Sequence, residues 1–198
     1  IISLDRAGLV GDDGPTHHGV YDMAFLRAIP NLVMMVPKDE NELRQMVYTA
    51  LQYKNGPVVL RYPRGQGIGV TVNDEFEAIP VGTSEILRAG SAAAIIAVGP
   101  LVYNALKAAE FLHKNEDFDV EIINARFIKP ADLQMLRRVL SNFKLVVTLE
   151  EGTLNGGFGS VVAEYLAELN LSSVELIRKG IPDEFIEQGP RNVLLDNI

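Results

Sequence analysis

Apolar residues in this chain fall into short continuous runs separated by longer stretches in which they recur every three or four positions. The runs "NLVMMVP" at 31 to 37 and "GPVVLRYP" at 56 to 63 are bounded by proline and glycine, the pattern of strands buried on both faces. Between them, residues 39 to 54 place Leu43, Met46, Val47, Ala50 and Leu51 at helical spacing, with Asp39 and Glu42 as an N-terminal cap. Strand, helix, strand in that order predicts a right-handed crossover onto a parallel sheet. The opening "IISL" reads as the end of another buried strand, and "VYDMAFLRAI" at 20 to 29 as an apolar helix.

The period loosens through "TVNDEFEAIPVGTSE", where polar and turn residues interrupt it, and a domain division is expected there, with residues 1 to 74 before it and 75 to 198 after. Beyond it, strands "AAAIIAV", "VEIINA", "KLVVTLE" and "VELIR" alternate with helices at 101 to 114, 131 to 142 and 160 to 170. That alternation predicts a doubly wound α/β unit. In its last helix Val161, Val162, Tyr165, Leu166 and Leu169 repeat at three and four, a face that packs on the sheet.

Composition narrows the function classes. The formal charge of -8 has the wrong sign for a chain that neutralises nucleic-acid phosphates or anionic lipid, so neither is an expected partner. With no cysteine there is no disulfide or thiolate chemistry, which fits a reducing cytoplasm. The longest apolar runs are too short to cross a bilayer. The chain opens on Ile1, in what reads as the end of a strand, and is expected to be part of a longer protein.

The densest chemistry lies in "GDDGPTHHGVYD" at 11 to 22. Gly11, Gly14 and Gly19 allow positive φ or close passage of a ligand, and Pro15 stiffens the turn that presents Thr16 and His17. A loop between a strand end and a helix is where open parallel sheets hold ligands. A histidine there can exchange a proton near neutral pH beside a carboxylate that orients it. A solvated turn, a proton-transfer site and a metal site are all compatible with these residues, although Asp13, His17, His18 and Asp22 have no familiar metal-ligand spacing. Arg6 and Arg64 follow two strands of one sheet at the same edge and could converge on an anion or simply form ion pairs. "EEGTLNGGFGS" at 150 to 160 resembles a phosphate cradle, but its glycines are not spaced G-x-G-x-x-G and Glu150 and Glu151 would repel an anion there. Tight chain reversal and packing is its expected role.

"DRAGLVGDDGPTHHGVYD", "IPNLVMMVPKDENEL", "GPVVLRYPRG", "EEGTLNGGFGS" and "GIPDEFIEQG" together resemble, over nearly the whole chain, enzymes of the transketolase-like thiamine-diphosphate family. The resemblance implies the end of a pyrimidine-binding, parallel-sheet domain followed by a transketolase C-terminal-type doubly wound α/β domain. It implies a thiamine-diphosphate- and Mg2+-dependent transferase that condenses pyruvate with glyceraldehyde 3-phosphate, releasing CO2 and giving a deoxyxylulose phosphate for isoprenoid, thiamine and pyridoxal synthesis. In that reading Arg6 and Arg64 hold the acceptor's phosphate, His17 moves a proton at the reacting carbon, and Asp13 orients the substrate. No cofactor or metal ligand carries over to this chain. The remaining domains of the same enzyme, and a second copy in a homodimer, are the implied partners. A transketolase, a 2-oxoacid dehydrogenase β-type subunit, or an inactive scaffold when isolated are the alternatives.

Overall fold

The first apolar runs form strands as their composition demands. In the computed structural model, which describes residues 1 to 196, β1 (Ile2–Leu4) leads through a long loop into α1 (Asp22–Leu26). β2 (Val33–Met35), α2 (Glu40–Gln52) and β3 (Val58–Arg61) then make the expected crossover. β1 and β2 both run parallel to β3, with Ile2 opposite Val59 and Val33 opposite Val58. α1 is shorter than the apolar stretch 20 to 29 predicts. The chain leaves the helix at Arg27 and turns through Asn31, whose φ of 59° is incompatible with a continued helix.

Asp39 caps α2, its Oδ1 accepting from the Glu42 N–H at 2.8 Å, as expected. The buried face of α2, however, is rotated from the predicted one. Met46 and Ala50 enter the core, but Val47 and Leu51 are exposed while Glu42, Gln45 and Thr49 are buried. Each buried polar group has a partner, so the cost of its desolvation is met. Gln45 and Thr49 accept from the N–H groups of Glu77 and Ile79, and Asn41 from that of Asn73, which laces the stretch after β3 along the helix. Glu42 accepts from Asn124 Nδ2 and Arg126 Nε, reaching into the second half of the chain.

That half contains β4 (Glu85–Arg88), β5 (Ala93–Ala97), α3 (Leu101–Glu116), β6 (Val120–Asn124), β7 (Phe127–Lys129), α4 (Leu133–Asn142), β8 (Leu145–Thr153), α5 (Phe158–Glu168), β9 (Glu175–Ile181) and α6 (Arg191–Asp196). Its sheet has the order β4-β6-β5-β8-β9, parallel except for β4, which pairs antiparallel with β6 at one edge. Helices and strands alternate as the periodicity predicts. Val162 of α5 is fully buried, with Tyr165, Leu166 and Leu169 packed beside it.

β7 joins the first sheet instead of this one. It pairs antiparallel with β2, Met34 opposite Lys129, so the first sheet has the order β1-β3-β2-β7. One apolar core runs between the two sheets, in which Met34 and Val59 lie in the same cluster as Ile96, Ile123 and Phe158. Each of these side chains removes apolar area from water worth roughly 1.5 to 3 kcal/mol, so the two halves support each other.

Candidate active site

β1 and β3 end side by side, and the chain that continues from them carries the residues singled out in the sequence. The Tyr62 N–H donates to Leu4 O and the Ala7 N–H to Tyr62 O, extending the pairing past both strands. The loop that follows is closed at its neck by reciprocal bonds between Gly8 and Gly19, each 2.8 Å. Inside it two successive turns, Gly14 N–H to Gly11 O at 3.1 Å and His17 N–H to Gly14 O at 3.0 Å, set the path. Gly14 sits at φ 71°, a conformation that strains any side-chain-bearing residue.

Arg61 fixes this neck from below. It is almost fully buried, donates to Asp22 Oδ2 at 2.8 Å, and donates to the carbonyls of Gly19 and Glu151 at 2.9 Å each. A guanidinium is suited to this because its planar fork serves several acceptors at fixed angles.

On the outer side of the loop, the Asp13 carboxylate and the Arg64 guanidinium form an ion pair. The pair borders a cavity of about 430 Å³ that also involves Asp12 and Arg191. A second cavity of about 450 Å³ lies on the other flank of Arg64, between the chain of 62 to 68 and the start of α2. Arg64 and Arg191 line both.

The expected meeting of Arg6, Arg64 and His17 around one cavity is not what the structure shows. Arg64 and Asp13 are brought together. Arg6 and His17 are exposed and line neither cavity, and the Arg6 carbonyl packs on Gly19 at the loop's neck. The His17 Nδ1 pairs with Thr16 Oγ1 at 2.9 Å. Arg64 is itself exposed and differs from Arg6 and His17 in having the Asp13 carboxylate within reach. His18 has a separate task. Its Nδ1 accepts from the Val10 N–H at 3.1 Å and its Nε2 donates to Ile186 O at 3.2 Å, which requires the neutral Nε2–H tautomer.

The second glycine-rich turn joins β8 to α5. Its N-cap, Gly157, has no side chain, and the Glu150 carboxylate takes over by accepting from the Phe158 N–H at 2.8 Å and the Gly159 N–H at 2.7 Å. Burial pushes the Glu150 carboxyl up to about 7, against the pull of those two N–H groups, Arg61 and Arg178. Burial also raises Glu151, offset by Arg191, the Leu9 N–H and Arg61. The anion slot at this helix start is thus filled by the chain's own carboxylate, and a diphosphate does not fit there.

Comparison with known proteins bears on the same segments. The model of the transketolase pyrimidine-binding domain matches residues 1 to 68, and that of the transketolase C-terminal domain matches residues 82 to 198. The chain belongs to the transketolase family. Two family relatives, both named 1-deoxy-D-xylulose-5-phosphate synthase, come from Bacillus velezensis and Geobacillus thermodenitrificans. They are 52% identical over 197 residues and 50% identical over 196, covering 100% and 99% of this chain. The chain spans 31% of the length of each. A solved transketolase-family structure, titled a split-gene transketolase, inactive beta4 tetramer, superposes with a TM-score of 0.86 at 31% identity, over 99% of this chain and 61% of that one.

Among the residues that organise the site, Arg61, Arg191, His18 and Glu151 were not readable as such in the sequence. Arg61 left one trace, a lone cation inside the apolar run "PVVLRYP", which a buried strand tolerates only when the charge is paired. Arg191 left none.

Proposed function

We propose that this chain supplies the acceptor-binding part of a 1-deoxy-D-xylulose-5-phosphate synthase, an enzyme that condenses pyruvate with glyceraldehyde 3-phosphate and releases CO2. The observation that carries this reading is the Arg64–Asp13 pair at the rim of a cavity beyond the ends of two parallel strands, on the two motifs whose resemblance is most specific. The full-length names of the relatives support it.

In this reading Arg64 exchanges part of its contact with Asp13 for the acceptor's phosphate, a bidentate, charge-assisted grip that a guanidinium makes well. Arg6, which lies outside both cavities, adds to the cationic side only by swinging its side chain toward Arg64 when the acceptor binds. Asp13, freed from Arg64, orients the acceptor's hydroxyl, and His17 donates the proton taken up by the developing alkoxide at the aldehyde carbon. Thiamine diphosphate with Mg2+, when bound by the rest of the enzyme, supplies the two-carbon nucleophile derived from pyruvate. The division of the chain at 74 to 75 and pairing as a homodimer in the cytoplasm belong to the same proposal.

Full-length enzyme carrying His17→Ala is expected to lose roughly 100-fold or more in kcat, with the KM for the phosphorylated aldehyde little changed. An unchanged kcat removes His17 from proton transfer. Turnover of a sugar-phosphate donor without pyruvate decarboxylation, or transfer to a lipoyl group, would replace the whole reading with a transketolase or 2-oxoacid dehydrogenase one. Because the Glu150 carboxylate already occupies the α5 start, the isolated chain is expected to bind thiamine diphosphate with Mg2+ weakly if at all. Calorimetry on the 198 residues alone tests this, and tight binding would contradict it.

A further inference from the structure

After β9 the chain does not leave the molecule. Residues 182 to 196 return across the loop of residues 8 to 19, and the two surfaces meet in several independent ways. His18 Nε2 donates to Ile186 O at 3.2 Å, and the Gly189 N–H to Gly11 O at 3.4 Å. The backbones are close enough that a Cβ on Gly14 would lie 3.3 Å from the Gln188 Cβ. Leu9, Val20 and Ile181 form a small apolar cluster completed by Ile186, Leu194 and Leu195 from the returning segment.

The charged member of this seam is Arg191. Its Nε donates to Leu9 O at 3.0 Å and its Nη2 to Glu151 Oε2 at 2.5 Å. The other Glu151 oxygen accepts from the Leu9 N–H at 2.7 Å. Both polar groups of Leu9, a residue 1% exposed, are therefore held by one Arg–Glu pair. Four residues further on is Asp13, whose carboxylate meets Arg64, and Arg191 lines the cavity that this pair borders.

Resting on the function proposed above, we propose that Arg191 is a positioning residue for the acceptor-phosphate site, clamping Leu9 against Glu151 so that the Asp13–Arg64 pair is held at the rim of the cavity. The clamp needs a fork. A lysine at 191 can satisfy Glu151 or Leu9 O but cannot hold both at the angles a guanidinium does. Loss of the cation leaves Glu151 buried with one donor, and the loop that carries Asp13 loses its fixed origin. The effect should appear in recognition of the phosphorylated acceptor and not in that of pyruvate.

The test uses full-length enzyme with Arg191→Ala, Arg191→Lys, Arg64→Ala and the Arg64→Ala/Arg191→Ala double variant, with thermal unfolding recorded for each. Arg191→Ala is expected to raise the KM for glyceraldehyde 3-phosphate about tenfold while the pyruvate KM stays within about twofold. Arg191→Lys, which keeps a charge on Glu151 and guards against a variant that does not fold, should retain at least about a threefold defect. Because Arg191 acts through the Arg64 site, the double variant should be no more than about twofold worse than Arg64→Ala alone. Parallel changes in both KM values, full rescue by lysine, or additive effects in the double variant would overturn the proposal. An unchanged aldehyde KM in Arg64→Ala would instead overturn the function on which it rests, and the two failures are distinguishable.

Discussion

The molecule has two loops that look alike in composition, each rich in glycine with two adjacent carboxylates, and it treats them in opposite ways. At 150 to 160 the carboxylates turn inward. Glu150 caps α5 and Glu151 holds Leu9, so both are buried and hydrogen-bonded. At 11 to 22 Asp12 and Asp13 face outward, and Asp13 meets Arg64 at a cavity rim. Glycine and acid content alone do not separate a structural turn from a binding loop. What separates them is whether the backbone N–H groups nearby already consume the carboxylates. A buried carboxylate bonded to a helix start is part of the fold, whereas a part-exposed one paired only with a guanidinium is the kind that the proposed function assigns to a ligand.

Substitutions should break the two loops differently. The largest effect is expected for Glu150→Ala, which leaves the Phe158 and Gly159 N–H groups buried without acceptors and opens a void. A loss of about 4 kcal/mol is expected, read from urea unfolding of the chain at pH 6. Asp13→Ala, in an exposed pair, should change stability by less than about 0.5 kcal/mol. Equal losses would erase the distinction.

A smaller effect comes from pH. The Glu150 carboxyl in the folded chain lies at about 7, above its ordinary value of 4.5, so the folded state binds the extra proton in between. Its stabilising contribution is complete below about 4.5 and declines as pH rises through about 7, by on the order of 3 kcal/mol at most. Glu150→Gln, which cannot ionise, should flatten the stability profile over that window. A profile unchanged by the substitution would show that Glu150 titrates normally.

Much of the scaffold was legible because its physics is local. Buried parallel strands read as apolar runs, and the Asp39 cap lies three residues from the N–H it serves. The face of α2 was misread because Glu42, Gln45 and Thr49 go inward to meet partners 30 or more residues away, which no periodicity reports. β7 is three residues long and finds its partner strand in the other half of the chain. In the site, the "GDDGPTHHG" loop and Arg64 could be singled out from residue type and strand position. Arg191 could not, since its contact with Leu9 spans 182 residues and is fixed only by the return of the chain after β9.

A further effect, smaller than that at Glu150, sharpens the comparison at the glycines. Gly156 and Gly14 have φ values of 82° and 71°, and alanine at either should cost about 1 kcal/mol in stability. Only Gly14→Ala should also raise the KM for the phosphorylated aldehyde in full-length enzyme, since Gly14 lies in the loop that bears Asp13 and a Cβ there presses on Gln188 of the returning segment. Matching kinetics for the two variants would mean that the loops are not functionally distinct.

The most direct measurement compares glyceraldehyde 3-phosphate with unphosphorylated glyceraldehyde as acceptors for full-length enzyme with and without Arg64→Ala. The preference for the phosphate should fall by about 30-fold, a loss of about 2 kcal/mol, with turnover of glyceraldehyde itself little altered. A preference that survives the substitution intact would contradict the assignment of this cavity to the acceptor's phosphate.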